Sequence, residues 1–153
     1  MLKGYYFITD STLSLKGNTS DVRQAVAAGV TVVQYRNKCS STKEMYEEAI
    51  KLRQICKSID FLINDRIDIA LAAGADGVHL GCGDLPYKSA RKILGKNKII
   101  GLTVHNIKEA AEAQKLGADY IGVSPVFATK TKKDAGQPAG IGLIKQIRRQ
   151  VSI

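Results

Sequence analysis

Tryptophan is absent from the 153 residues, and proline and cysteine occur only three times each. No apolar run approaches the roughly 18 residues of a membrane span, so no membrane partner is expected. The opening, MLKGYYFITD, enters strand-like sequence at once and carries no signal-peptide hydrophobic region. The cytoplasm is therefore the expected compartment. Cys39, Cys56 and Cys82 are odd in number and show no CxxC spacing. Thiols in a reducing compartment are expected rather than a zinc site or a disulfide framework. Acidic side chains are also scarce: 23 Lys and Arg against 14 Asp and Glu give a net charge of +9. The basic residues are spread out, and no basic strand carries interleaved aromatics, so nucleic acid is not the expected partner. Anionic small molecules account for the charge equally well.

What is present has the pattern of one α/β domain, of a size that buries roughly 68–70% of its unfolded surface. Short runs rich in β-branched and aromatic residues read as buried parallel strands: Tyr5–Ile8, Thr31–Tyr35, Phe61–Ile63, Gly77–Leu80, Ile99–Leu102 and Tyr120–Val123. Helical stretches alternate with them at Asp21–Ala28, Thr42–Lys57, Ile67–Ala73, Tyr87–Leu94, Ile107–Leu116 and Gly142–Arg149. Ser41 or Thr42 ahead of Glu44, and Asn106 ahead of Glu109, are helix-start signals. A repeat marks the helix ends. Ala27-Ala28-Gly29-Val30, Ala73-Gly74-Ala75-Asp76-Gly77-Val78 and Leu116-Gly117-Ala118-Asp119-Tyr120-Ile121 each close a helix on Gly and enter a strand. Strict alternation predicts a (β/α)8 TIM-barrel type, with a flavodoxin-like sheet as the alternative.

Polar residues gather just after the strands, where such a barrel keeps its active site. Alternation places Gln34, Arg36 and Lys38 on one face of the second strand's end, a set suited to a polyanion or to plain surface charge. Asn64-Asp65-Arg66 ends the third strand, and an Asp there needs a cation, a bridge to Arg66, or a helix to cap. Asp84 follows in the Gly81-Cys82-Gly83 loop. Two carboxylates on adjacent strand ends suit Mg²⁺. His79 lacks a second ligand at metal spacing and is expected to be a buried, hydrogen-bonded histidine. His105 follows the fifth strand, either as an acid–base group or as a helix-start residue. The long basic, hydroxyl-rich loop over residues 128–134 has the composition of a phosphate-gripping lid or of a solvated loop.

Together these segments resemble the thiamine phosphate synthase family. Gln34-Tyr35-Arg36-Asn37-Lys38 resembles its QxRxK pattern. Phe61–Asp68 (FLINDRID) and Gly74–Pro86 (GADGVHLGCGDLP) are the most specific matches, and Gly117–Lys132 (GADYIGVSPVFATKTK) is nearly as good. The resemblance implies a transferase joining hydroxymethylpyrimidine diphosphate to a thiazole phosphate, with release of diphosphate. It implies Asp65 and Asp84 as Mg²⁺ ligands, and Gln34, Arg36, Lys38, Asn64 and Lys132 around the leaving group. Arg36, Lys38 and Lys132 would be catalytic. Thr103 would stand in the place of a pyrimidine-contacting serine, and Thr129 and Thr131 would face the thiazole phosphate. The expected partners are these two small molecules.

Cys82-Gly83 replace the family's usual Gln-Glu, and Thr103-Val104-His105-Asn106 replace a Ser/Thr-His-Thr pattern. The related thiazole tautomerases use a histidine in this region, so a tautomerase-like enzyme with His105 as base is the alternative. A non-catalytic homologue binding thiamine precursors is a third reading. The chain ends at Val151-Ser152-Ile153, where a seventh strand is expected. About six of eight βα units are thus expected in one partial barrel domain over residues 1–153. A fragment, a shortened member and a chain completed by another all fit, and the activity of this chain is left open. Strands one and six would be open edges, available for self-association or for a complementing chain.

Overall fold

A computed structural model describes residues 2–129, 131 and 136–153. Its elements alternate as β1 (Tyr6–Ile8), α1 (Asn18–Ala27), β2 (Val32–Tyr35), α2 (Thr42–Ile55), β3 (Asp60–Asn64), α3 (Ile67–Ala72), β4 (Gly77–Leu80), α4 (Tyr87–Leu94), β5 (Ile99–Val104), α5 (Ile107–Leu116), β6 (Tyr120–Val123) and α6 (Gly140–Gln150). The strands form one parallel sheet in plain chain order from β1 to β6. A flavodoxin-like sheet reverses its strand order, so that alternative is excluded. The sheet is also strongly curled. Tyr6 Oη on β1 and Tyr120 Oη on β6 stand 2.7 Å apart, whereas a flat sheet would separate its first and sixth strands by about 24 Å. The fold is therefore six βα units of a (β/α)8 barrel.

The core lies between sheet and helices. Val33, Tyr35, Phe61, Ile63, Val78 and Ile100 project outward from the strands and pack against Val22, Ala49, Leu52, Ile69, Ala70 and Ala90 from the helices. A second cluster joins α5 and α6 to the end of β5, through Val104, Ala110, Ala113, Ile147 and Val151. The helix signals work as expected. Ser41 and Glu44 close a capping box on α2, and the Asn106 side chain accepts from the Glu109 amide at the start of α5. Gly117 ends α5 in the left-handed conformation (φ 87°), which costs glycine no Cβ clash.

Several strand and helix ends differ from expectation by one to three residues, and three differences have a clear cause. α1 begins at Asn18 because Gly17, at φ 81°, turns the chain into the helix before Asp21. β5 extends to Val104 because Thr103 and Val104 pair with Gly122 and Val123 of β6. α6 starts at Gly140, two residues ahead of Gly142.

The repeated Gly-Ala-Asp segments do more than end helices. Asp76 Oδ2 accepts from the Phe61 amide at 2.8 Å and from Arg53 Nη1 at 2.9 Å. Asp119 Oδ2 repeats this with the Ile100 amide at 2.8 Å and Arg91 Nη2 at 2.7 Å. Each aspartate thus satisfies an amide at the start of the neighbouring strand and pairs with an arginine from a helix. Both sit at the N-terminal end of the barrel, opposite the strand ends where ligands bind.

Candidate active site

The strand C-termini bring three of the expected charged residues together. Asp65 follows β3 with a positive φ of 64°, and the Arg66 amide donates to the Asn64 carbonyl across it at 2.7 Å. This is a γ-turn of the strained hand, a geometry that concentrates at functional sites. The Lys38 ammonium pairs with Asp65 Oδ2. Asp84 Oδ2 accepts from the Gly81 amide at 2.7 Å, so the short loop after β4 folds its carboxylate back toward the rim. Partial burial, and then a hydrogen bond with the Asp65 carboxyl, push Asp84 above the ordinary carboxylate range. Two carboxyl groups therefore share one place, with one lysine opposing them. Hard oxygen donors held this close fit a divalent cation such as Mg²⁺.

Arg36 joins the rim from β2. Its Nη1 pairs with Asp10 Oδ2 at 2.8 Å, while its backbone exchanges hydrogen bonds with Thr9 Oγ1. Hydrogen bonds from Thr12 and the Arg36 charge hold Asp10 below its usual value. Arg66 is turned away from the site. It pairs with Asp68 at 2.5 Å and donates to Thr42 at 3.0 Å, so Lys38, not Arg66, is the cation opposite Asp65.

Beneath the rim a hydrogen-bonded chain crosses the barrel interior. Gln34 Nε2 donates to Tyr6 Oη at 2.7 Å, and Tyr6 meets Tyr120 Oη at 2.7 Å. Tyr120 Oη meets His79 Nδ1 at 2.8 Å, and His79 Nε2 meets Thr103 Oγ1 at 2.9 Å. Gln34 is only 2% exposed and lies deeper than Arg36 and Lys38. β2 ends at Tyr35, so Arg36 and Lys38 lie beyond the strand while Gln34 lies within it. Burial raises both tyrosine hydroxyls, so they stay protonated hydrogen-bond partners at neutral pH. Room for the rings comes from glycine: a Cβ on Gly101 would lie 2.0 Å from Tyr120 Cζ. His79 is thus hydrogen-bonded, as expected, but half-buried rather than buried, and Thr103 presents its hydroxyl to the interior.

Other expected site residues are placed as follows. Asn64 ends β3 beside Asp65. Thr129 Oγ1 accepts from the Thr131 amide at 3.2 Å in the exposed loop after β6. Lys132 lies outside the described residues. His105 is exposed at the start of α5, where its Nδ1 meets Glu109 Oε2 at 3.1 Å and Cys82 Sγ at 3.7 Å. Cys56 is buried, and burial pushes its thiol up to about 11. Sequence reasoning missed Tyr6, Tyr120 and Asp10 as site neighbours. The available signal was alternation itself, which puts Tyr6 on the face of Ile8 and not on that of Phe7.

A family model described as thiamine monophosphate synthase matches residues 5–153. The chain belongs to that family. A thiamine-phosphate synthase from Methanosarcina mazei is 56% identical over 150 residues, covering 97% of this chain. One from Methanosarcina barkeri is 53% identical over 150 residues, again covering 97% of this chain. The chain spans 62% of the first relative's length and 68% of the second's. Among solved structures, the thiamine phosphate pyrophosphorylase of Pyrococcus furiosus superposes with a TM-score of 0.88 at 41% identity, covering 97% of this chain and 70% of that one. The thiamine monophosphate synthase family thus accounts for the curled six-unit sheet and for its polar strand ends.

Proposed function

We propose that this chain carries the metal–diphosphate half of a thiamine phosphate synthase site. The reaction is the coupling of hydroxymethylpyrimidine diphosphate to thiazole phosphate, giving thiamine phosphate and diphosphate. In this reading the carbon–oxygen bond between the pyrimidine methylene and the diphosphate breaks, and the thiazole takes the vacated carbon. The aminopyrimidine ring stabilises the intervening cation, so no protein nucleophile is needed. The observation that carries the reading is the shared position of Asp65, Asp84 and Lys38 at adjacent strand ends.

Asp65 and Asp84 would hold Mg²⁺, which supplies charge neutralisation for the departing diphosphate. Lys38 leaves its pairing with Asp65 to meet a diphosphate oxygen, and Arg36 offers a fork steadied by Asp10. Asn64 and Lys132 complete this group. Gln34 and Thr103 bracket the interior hydrogen-bonded chain, and the Thr103 hydroxyl contacts the pyrimidine. Thr129 and Thr131 receive the thiazole phosphate. The substrates are small anions, in keeping with the net charge of +9. The reading places the reaction in the cytoplasm.

The test supplies both substrates and follows diphosphate release. Release should require Mg²⁺ and should fall by about a hundredfold or more in Asp65→Ala and Asp84→Ala. Turnover that continues unchanged in EDTA would remove this mechanism. The tautomerase alternative would instead show proton exchange on thiazole phosphate that His105→Ala abolishes. His105 Nδ1 is turned onto Glu109 and Cys82, and this favours the synthase reading.

A further inference from the structure

Cys82, His105 and Glu109 offer one sulfur, one ring nitrogen and one carboxylate oxygen, all within 4.8 Å of one another. Cys82 comes from the loop after β4, His105 from the turn before α5, and Glu109 from the first turn of α5. Their contacts share a single atom. His105 Nδ1 lies 3.7 Å from Cys82 Sγ and 3.1 Å from Glu109 Oε2. A proton relay would use the two opposite ring nitrogens, one toward the thiol and one toward the carboxylate. Here a single nitrogen faces both, and one proton on it can serve only one of them. Convergence on a point suits a cation.

The spacing fits a tetrahedral transition metal. With zinc–sulfur near 2.3 Å, zinc–nitrogen near 2.05 Å and zinc–oxygen near 2.1 Å, tetrahedral angles require S···N of about 3.6 Å and N···O of about 3.4 Å. The two contacts to Nδ1 differ from these by only a few tenths of an ångström, and the sulfur and carboxylate oxygen lie within 4.8 Å of each other. A helix-start hydrogen bond accounts for His105 and Glu109, since Glu109 Oε2 also accepts from the His105 amide just ahead of α5. It gives no reason for Cys82 to approach the same nitrogen. The donor set also separates this place from the all-oxygen pair of Asp65 and Asp84, because thiolate and imidazole select zinc-like ions over Mg²⁺.

We propose that Cys82, His105 and Glu109 form a second metal site, taking Zn²⁺ or a similar thiolate-seeking divalent ion and leaving its fourth position to water. Binding releases the Cys82 proton and any proton on His105 Nδ1, and makes one metal–sulfur, one metal–nitrogen and one metal–oxygen bond. No electron changes hands. The site fastens the loop after β4 to the start of α5. Asp84 is two residues beyond Cys82, so the ion steadies the loop that carries it. The inference does not depend on the proposed synthase reaction, since it uses none of that reaction's residues as ligands.

Co²⁺ reports the site directly. The chelator-treated chain, kept in excess Mg²⁺, is titrated with Co²⁺ and its absorption followed. The expected result is a thiolate-to-cobalt charge-transfer band saturating at one Co²⁺ per chain and erased by Zn²⁺. Cys82→Ser should abolish the band, and His105→Ala and Glu109→Gln should weaken Co²⁺ binding by on the order of tenfold or more. Cys39→Ser, which alters the other exposed thiol, should leave it intact. Zn²⁺ should raise the melting temperature of the native chain and not of Cys82→Ser, while metal-free melting of the two should coincide. Absence of the band, its survival in Cys82→Ser, or its loss in Cys39→Ser would overturn the assignment.

Discussion

Asp84 is a proposed metal ligand, and its environment sets a testable sign. Its folded-state pKa is raised, by burial first and then by the Asp65 carboxyl. A raised carboxyl adds stability that is whole below the ordinary carboxylate value and is lost as the pH climbs through the raised one. The metal-free chain should therefore lose part of its stability on going from about pH 4 to neutrality, and Asp84→Asn should not show that part. Mg²⁺ should restore the loss in the native chain and have little effect on the Asn variant. Melting curves for both chains, with and without Mg²⁺ at each pH, measure it. At the same scale, Gly101→Ala would drive a methyl group into the Tyr120 ring. It should cost about 1–3 kcal/mol in denaturant unfolding and weaken pyrimidine binding, because the ring cannot keep its place beside His79.

Among the elements, the alternation of strands and helices was readable because buried parallel strands show as short β-branched runs and helices as longer amphipathic ones. β4, α4, α5 and β6 have the bounds their residues suggest, and the capped starts of α2 and α5 fall where Ser41 and Asn106 stand. Less readable were features whose partners lie far along the chain. Tyr6 sits inside an apolar run, and nothing local says that its hydroxyl reaches Tyr120, 114 residues away. Cys82 and His105 have no metal-like spacing because their loops meet only once β4 and β5 pair. The Gly-Ala-Asp repeat was visible as a helix ending. Its aspartates' hold on the preceding strand was not, since Phe61 and Ile100 stand 15 and 19 residues before them in the chain. Asp76→Ala and Asp119→Ala should each leave a strand amide without its acceptor and an arginine without its carboxylate, although Arg53 keeps the Cys56 carbonyl and Arg91 those of Gly95 and Lys98. A loss of about 1–3 kcal/mol per site is expected in urea unfolding. Ligand affinity of the folded protein should be unchanged, because both lie at the far end of the barrel.

For the molecule as a whole, the sheet curls but leaves β1 and β6 as its edges among the described residues. β1 is three residues long, with Ile8 half exposed and Tyr5 beside it more so. Unpaired strand edges with apolar side chains recruit further strands. We expect the chain to self-associate through these edges, so that sedimentation velocity shows a mean mass rising with concentration. A single monomeric species across the accessible range would refute that expectation. The same openness shapes the site. Asp65, Asp84, Lys38 and Arg36 come from strand ends β2 to β4, in the middle of the described sheet and away from its edges. Binding of the diphosphate end should therefore be a property of this chain itself, whatever the rate of turnover.

Calorimetric titration of the chain with hydroxymethylpyrimidine diphosphate, with and without Mg²⁺, tests that claim most directly. The expected result is saturable binding that needs Mg²⁺, weakens by about tenfold or more in Lys38→Ala, and disappears in Asp65→Asn and Asp84→Asn. Binding of equal strength in EDTA, or in the two Asn variants, would contradict it.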